Sequence, residues 1–399
     1  MPLPLYLLAL ALFAMGTSEF MLAGLLPDIA SDLDVTVGTA GALTSAFAVG
    51  MIVGAPLVAA LARNWPGRSS LLGFVLVFSA AHAVAAATAS FPVLFATRVV
   101  AALANAGFLA VALTAAATLV SPDKKGRALA VLLSGTTVAT IAGVPGGSML
   151  GTLLGWRATF WAVAVLCVPA ALGIFKAIPA RPAKEAAAGG PALRSELAQL
   201  RNPRLLLVML LGALVNAATF GSFTFLAPVV TDNAGLDELW ISVVLVLFGA
   251  GSFVGVTLAG RLSDRRPGLV VAAGGPPLLI GWPVLALLAD EPVALLILVF
   301  VQGALSFALG STLITRVLYE AAGAPTMAGS YATAALNVGA AAGPLIAAAT
   351  LGTTAGSLGP LWASGLLVLV ALLVGFLFRG VILSDARGGS SAVRTPRPR

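Results

Sequence analysis

Twelve apolar runs divide this 399-residue chain almost from end to end. Each is close to the ~20 residues a helix needs to cross the hydrocarbon of a bilayer. They fall near residues 5–27, 39–62, 69–89, 92–118, 128–151, 158–175, 205–230, 240–260, 268–289, 293–315, 326–350 and 360–378. Backbone in lipid has to satisfy its own hydrogen bonds, and a run of this length does so as a helix. The expectation is therefore an all-α membrane protein with twelve transmembrane helices. Composition agrees. Only 9% of the residues are charged and 59% are hydrophobic, whereas a water-soluble domain carries about 25% charged residues to cover its surface. The sixth run is short and is expected to extend to Ile178, with Lys176 reaching back to the interface. The opening "MPLPLYLLALALFAMG" has no basic segment before its apolar core and no small-x-small cleavage pattern, so it reads as a retained first helix.

Charge gives the expected orientation. All but two of the 22 basic residues lie in loops on one side of the alternation. The opposite loops hold Arg157 alone, among Asp28, Asp32, Asp34, Asp232, Asp237, Glu238, Asp290 and Glu291. Basic loops stay in the cytoplasm, so both termini are expected there, in a multi-pass protein of the cell membrane. The net charge of +7 then reflects topology, and no nucleic-acid partner is implied. The two halves of the chain also echo each other. "GAPLVAALAR" from Gly54 is matched by "GVTLAGRLSDRR" from Gly255, and Pro145 in "GVPGG" by Pro344 in "GAAAGP". These pairs place a six-helix bundle in residues 1–178 and a second in 204–383. A Pro- and Ala-rich cytoplasmic linker joins them over 179–203, in which "ALRSELAQL" reads as a short surface helix, and a disordered tail covers 384–399. Two such halves related by a weak repeat are the build of a secondary transporter, with substrate bound between them.

The ionisable inventory inside the spans is short: Glu19, His82 and Arg98. There is no GxxxxGK[ST] phosphate loop, so work has to come from an ion gradient unless a partner supplies ATP. One cysteine (Cys167) and one histidine exclude a disulfide framework and a cysteine metal cluster. No nucleophile with a base, paired acids or metal ligands can be assembled, so an enzyme is not expected, and no metal or cofactor beyond protons is implied. Glu19 lies eight residues before Pro27, roughly 12 Å deep, and Arg98 six residues after Pro92, roughly 9 Å deep. Opposite charges at one depth share the cost of burial. Burial favours the protonated acid and a nearby guanidinium favours the carboxylate, and a balance that moves between the two loads and releases a proton. A static structural pair, or a Glu19 open to a water-filled mouth, remains the alternative. Asp28 reads as a helix-end residue or as a second proton or gate group. His82, among small residues in "FSAAHAVAAA", reads as a packing or interhelical hydrogen-bond residue.

Gly143, Pro145, Gly146 and Gly147 interrupt the fifth run, and Gly343 and Pro344 the eleventh. Glycine permits close helix approach and proline permits a bend. A hinge and ordinary small-residue packing are equally consistent with them. Asp264 and Arg265 in "GRLSDRR" are candidates for a cytoplasmic latch. Cavity candidates are Asn105, Phe108, Asn216, Phe220, Phe223, Tyr331 and Asn337, since ligand sites combine apolar walls with a few orienting polar groups. With no other fixed charge at depth, a small neutral amphipathic substrate fits better than a polyanion.

Several of these stretches resemble the twelve-span drug:proton antiporters of the major facilitator superfamily. "LFATRVVAALANAG" is similar to that family's fourth-span motif around Arg98, with Ala101 and Ala102 in place of the usual Gln-Gly. "GVPGG" is similar to its fifth-span motif, and "GVTLAGRLSDRR" to its loop motif, whose aspartate "AALARNWPGR" lacks. "MGTSEFMLAGLLPDIASDL", "LVNAATFGSFTFLAPVVTD" and "TLITRVLYEAAGAPTMAGSYATAALNVGAAAGP" resemble the actinomycete-type chloramphenicol resistance exporters. This resemblance implies proton-coupled chloramphenicol efflux by alternating access and a coupling role for Glu19 and Arg98; function as a monomer is a separate expectation. An exporter of sugars or other small neutral metabolites is the alternative within the superfamily, and a passive channel the alternative outside it.

Overall fold

The structure is a computed structural model and describes residues 2–61, 67–121, 125–178, 193–263, 267–324 and 327–378. Among these residues all regular structure is helical. Along the first half run α1 (Leu3–Phe20), a 3-10 turn (Met21–Gly24), α2 (Leu26–Asp32), α3 (Val37–Leu61), α4 (Gly67–Ala87), α5 (Phe91–Thr118), α6 (Lys125–Val138), a π turn (Ala139–Gly143), α7 (Val144–Leu154) and α8 (Trp156–Ala177). After the short α9 (Leu193–Leu197) come α10 (Pro203–Thr224), α11 (Leu226–Pro228), α12 (Leu239–Ser263), α13 (Pro267–Leu287), α14 (Pro292–Glu320), α15 (Ala328–Leu351) and α16 (Gly359–Leu377).

Twelve of these segments are long and apolar enough to cross a membrane, and each coincides with one of the twelve runs. The sixth span reaches Ala177, as the snorkelling lysine predicts. The two largest departures from the expected ends are in the first and seventh spans. The α-helix of the first span stops at Phe20, not Pro27: Met21–Gly24 tighten into a 3-10 turn, and Pro27 opens the next helix, α2, where its missing N–H costs nothing. The seventh span ends at Thr224, because Phe225 breaks the helix ahead of Pro228. Part of the expected linker helix is present as α9. Residues 179–192, the tail from 379, and the latch candidates Asp264 and Arg265 lie outside the described residues.

The helices are apolar on all sides, as helices buried between lipid and neighbours must be. Large apolar side chains such as Leu76, Val84, Phe175, Leu366 and Phe376 stand exposed on the outside, a surface suited to acyl chains and not to water. Inside are two packed cores. One is built mainly from α1 to α8 around Leu12, Phe78, Phe108 and Phe160. The other is built mainly from α10 to α16 around Phe223, Phe248, Trp282 and Leu309.

The cores meet along a seam. α3 runs antiparallel to α15, with Gly38 beside Ala348 and the Ser45 hydroxyl donating to the Ala341 carbonyl at 2.7 Å. Ala48, Phe220, Ala340 and Ala341 pack as a small cluster below this bond. Gly41 leaves room for the Phe225 ring, and Gly24 for Ser148 and Leu245. These contacts occupy the far side of the bundle, the face opposite the one where α1 begins.

The fifth span carries the clearest irregularity. Pro145 removes one helical N–H and its ring crowds the carbonyl four residues earlier. The π turn Ala139–Gly143 just before it widens the helix by one residue and absorbs that conflict. α12 rests directly on this widened turn, since a Cβ on Gly249 would lie 2.6 Å from the Thr140 carbonyl oxygen. The span then ends on Gly155, whose φ of 83° and ψ of 152° are open essentially to glycine alone. This lets α8 start at the next residue.

The glycines of the two expected hinge motifs differ in what surrounds them. A Cβ on Gly343 would meet the Ala217 carbonyl oxygen at 2.2 Å, while one on Gly146 would meet nothing within 4 Å. Gly343→Ala should therefore cost about 1–3 kcal/mol through overpacking. Gly146→Ala should be neutral or stabilising by about 0.5–1 kcal/mol, as for glycine replaced inside a helix. Thermal unfolding of the two variants in one detergent checks the difference.

Candidate functional site

The last turn of α1, Thr17-Ser18-Glu19-Phe20, lies where the two cores and the seam converge. Successive residues of an α-helix point about 100° apart, so these four side chains address different neighbours. Thr17 donates to its own helix at Phe13 (2.8 Å) and fills the space left by Gly143 on the π turn. Ser18 is fully buried and faces α4 and α5. Phe20 faces the second core, its ring 5.6 Å from Phe220 and 6.4 Å from Phe223. Glu19 is half-buried between them.

Arg98 of α5 is almost fully buried. Its guanidinium does not form a salt bridge with Glu19, although the two charges stand within electrostatic reach. Nη1 donates to the Ser18 hydroxyl at 2.8 Å and Nη2 to the Ser18 carbonyl at 2.9 Å. The Phe47 ring covers the guanidinium, 4.5 Å from its central carbon, a cation–π contact that strengthens where water is absent. His82 of α4 completes the cluster: Nε2 lies 2.6 Å from the Ser18 hydroxyl and Nδ1 2.8 Å from the Phe78 carbonyl. The expected interhelical hydrogen bond of His82 is therefore present, and its partner is Ser18.

Beside this cluster, at the seam, is a narrow aromatic cleft whose free interior is about 20 Å³, room for roughly one water, so the walls stand nearly closed on one another in this state. Its walls are Phe20, Thr140, Val144, Thr219, Phe220, Phe223, Leu245, Phe248, Gly249, Ser252 and Phe307. The aromatic rings pack tilted or edge to face, with Phe223 and Phe248 4.8 Å apart and Phe248 and Phe307 6.1 Å apart. Thr219 and Ser252 donate to carbonyls of their own helices at 2.9 and 2.8 Å. Their hydroxyl oxygens keep lone pairs that can accept from a ligand. An apolar aromatic wall with a few hydroxyl acceptors and no ionised group suits an uncharged amphipathic molecule.

Of the expected cavity residues, Phe220 and Phe223 line this pocket. The others are engaged elsewhere. Phe108 belongs to the first core. Asn105 reaches the Met51 sulfur at 3.7 Å, and Asn216 staples α10 to the Leu336 carbonyl of α15 at 2.7 Å. Asn337 donates to Thr333 on its own helix. Tyr331 donates to the Glu196 carbonyl of α9 at 2.8 Å, while the Glu196 carboxylate accepts from the Met327 N–H at the start of α15. Phe20, Phe248 and Phe307 are the aromatic pocket residues that sequence reasoning missed, along with the smaller wall residues. Phe20 had a signal, its place next to the buried acid. The other two sit on helices with no polar face to orient them.

The far face is tied by a polar cluster. Arg157, the lone base among the acidic loops, pairs with Asp32 and also donates to the Thr88 carbonyl at 3.1 Å. The Trp156 indole N–H donates to Asp32 at 3.2 Å. Asp28, in the first turn of α2, is half-buried and lies near Glu238 of the second half. Partial burial and then the Glu238 charge hold its carboxyl above the ordinary value of 3.8.

Twelve membrane-length helices around an aromatic cleft make a multi-pass membrane protein; its family and relatives make it a transporter and not an enzyme. The chain belongs to the Major Facilitator Superfamily, whose description fits residues 8–333. It is 82% identical over 386 residues to a chloramphenicol resistance protein of Streptomyces lividans, covering 97% of this chain and 98% of that one. It is 33% identical over 353 residues to the inner membrane transport protein YdhP of Escherichia coli K12, covering 88% and 90%. Among solved structures, a bacterial homologue of the human lysosomal transporter Spinster shares the fold, with a TM-score of 0.76 at 17% identity over 96% of this chain and 97% of that one.

A carboxyl whose folded-state value is raised contributes stability below its ordinary 3.8, and that contribution is lost as pH rises through the raised value. Asp28→Asn should keep the low-pH stability across that window. The melting temperature of the wild type should therefore fall relative to the variant as pH rises above 3.8, with Glu238→Gln giving a smaller change in the same sense. Melting curves of purified protein at stepped pH test this.

Proposed function

We propose that this chain exports chloramphenicol across the cell membrane in exchange for protons. Both termini lie in the cytoplasm, following the basic loops. Residues 1–178 and 204–383 are the two rocking halves, joined by the linker 179–203 and followed by the tail 384–399, and the chain works as a monomer. With the termini inside, the closed far face is the outer gate, and the pocket opens toward the cytoplasm when the halves tilt about the seam. Protons are the only coupling ion, and no cofactor takes part.

The substrate is supported by the 82% identity to a protein named for chloramphenicol resistance, and by a pocket whose aromatic walls and hydroxyl acceptors suit an uncharged amphipathic drug. The observation that carries the coupling is adjacency. Glu19 and Phe20 are consecutive, so the half-buried acid and a wall of the pocket share one turn of helix. A drug that moves Phe20 moves the backbone of Glu19. In the outward half-cycle Glu19 takes a proton from outside. In the inward half-cycle Arg98 draws the ionised carboxylate and the proton leaves to the cytoplasm. Because chloramphenicol is uncharged, each proton exchanged also moves one charge inward. The membrane potential then adds about 2.3 kcal/mol per 100 mV to the pH gradient.

Glu19→Gln tests the role of the acid. One proton per drug and an interior-acid gradient of one pH unit support about tenfold accumulation of labelled chloramphenicol in inside-out vesicles. The variant is expected to bind the drug and let it equilibrate, with no accumulation. Full accumulation by Glu19→Gln would remove Glu19 from the mechanism. Absence of chloramphenicol flux in the wild type would turn the substrate search to sugars and other neutral metabolites.

A further inference from the structure

The four polar groups around Ser18 form a chain with a single possible direction. The Phe78 carbonyl can only accept, so Nδ1 of His82 carries the proton in that bond. Nε2 of the neutral ring is then an acceptor, and the Ser18 hydroxyl donates to it at 2.6 Å. The oxygen of that hydroxyl turns its lone pairs to Arg98, which donates at 2.8 Å. Thr17, one residue earlier, shows what a helical hydroxyl does without such a partner: it donates back to the carbonyl four residues before it. Ser18 escapes that default because His82 accepts its proton.

Every acceptor that Arg98 reaches is neutral, and its Nε is a buried donor with no partner. A buried guanidinium in that state is held, but it is one bond short. The carboxylate that could supply the bond belongs to the residue after Ser18. We propose that the Ser18–His82 pair is a holding site for Arg98, and that His82 is a positioning residue that sets how readily the guanidinium moves to Glu19. This rests on the coupling role of Glu19 proposed above. While the pair holds Arg98, Glu19 is free to carry a proton. When Arg98 moves to Glu19, the carboxylate is stabilised and the proton leaves. Loss of His82 lets the Ser18 hydroxyl fall back on its own helix, weakens the hold, and leaves Arg98 on Glu19 for more of the cycle.

The ionisable groups on the elements packed around His82 are few. α1 brings Glu19, α5 brings Arg98 and α8 brings Cys167 between the terminal Arg157 and Lys176, while α4 itself adds only Arg68 at its opposite end. Arg98 and Glu19 are therefore the charges that a change at His82 redistributes.

The test is the pH profile of drug uptake into inside-out vesicles at a series of luminal pH values. His82→Leu is expected to move the midpoint for proton loading to lower pH by about one unit, a tenfold higher proton concentration. His82→Gln keeps an amide oxygen for Ser18 and an N–H for the Phe78 carbonyl, and should restore the wild-type midpoint. Ser18→Ala removes the hydroxyl itself and should shift the midpoint in the same direction as His82→Leu, so it decides the matter if the leucine variant does not reach the membrane. A wild-type midpoint in both His82→Leu and Ser18→Ala, or an equal shift in His82→Gln and His82→Leu, would overturn the proposal. Glu19→Gln in the same assay separates the two levels. If that variant keeps a pH-dependent accumulation, the coupling reading itself fails. If it loses accumulation while the His82 and Ser18 variants behave as wild type, only the holding site fails.

Discussion

A guanidinium kept out of water has to find acceptors, and that demand organises this protein. Arg98 stands about two turns into α5 with no water-exposed surface to speak of. Removing one partner from a buried charge is costly, on the order of 3–5 kcal/mol, so the helices around it are not free to drift. Its bonds to Ser18 draw the end of α1 against α4 and α5, and the ring of Phe47 ties α3 to the same point. The end of α1 is thereby fixed in rotation, with Thr17 on the π turn of the fifth span and Phe20 among the aromatic residues of the second core. A charge that costs free energy to bury is thus also the device that positions one wall of the pocket.

The surrounding architecture supplies a seam along which the two cores pack closely. Across the seam, Gly24, Gly38, Gly41 and Gly249 let the backbones approach around the rings of Phe20 and Phe225, and Ser45 adds a hydrogen bond. Small-residue contact lets backbones approach without locking long side chains together. The bulkier charged ties stay within a half, as Arg157 does with Asp32 and Thr88. Where charges of the two halves come near one another across the seam, at Asp28 and Glu238, they are of like sign. That proximity weakens the packed far face when both acids are ionised.

Most of the fold is legible in the sequence, because twelve apolar runs of membrane length leave a helix bundle as the only way to satisfy the backbone. Every span appears, and Glu19 and Arg98, expected at similar depth, stand within electrostatic reach of each other. What the sequence does not settle is rotation. Whether Ser18 or Glu19 receives Arg98 turns on one residue, or about 100° of helix, and an all-round apolar helix offers no polar face to set that angle. The same silence hides Phe248 and Phe307, which reach the pocket from α12 and α14. It also hides the engagement of Tyr331 with α9, a contact made by a segment that reads in isolation as a surface helix. The end of α1 at Phe20 depends on the 3-10 turn that follows it and on Pro27 starting a new helix, so counting back from the proline overstates the length of the first span.

The central claim is that drug leaves only as protons enter, through a carboxyl next to the pocket. The most direct measurement is the pH inside proteoliposomes holding the purified protein, followed after chloramphenicol is applied on one side with no other gradient imposed. The account predicts proton movement opposite to the drug, of a size proportional to the drug flux and absent in Glu19→Gln. Drug flux at the wild-type rate with no change in internal pH would contradict it.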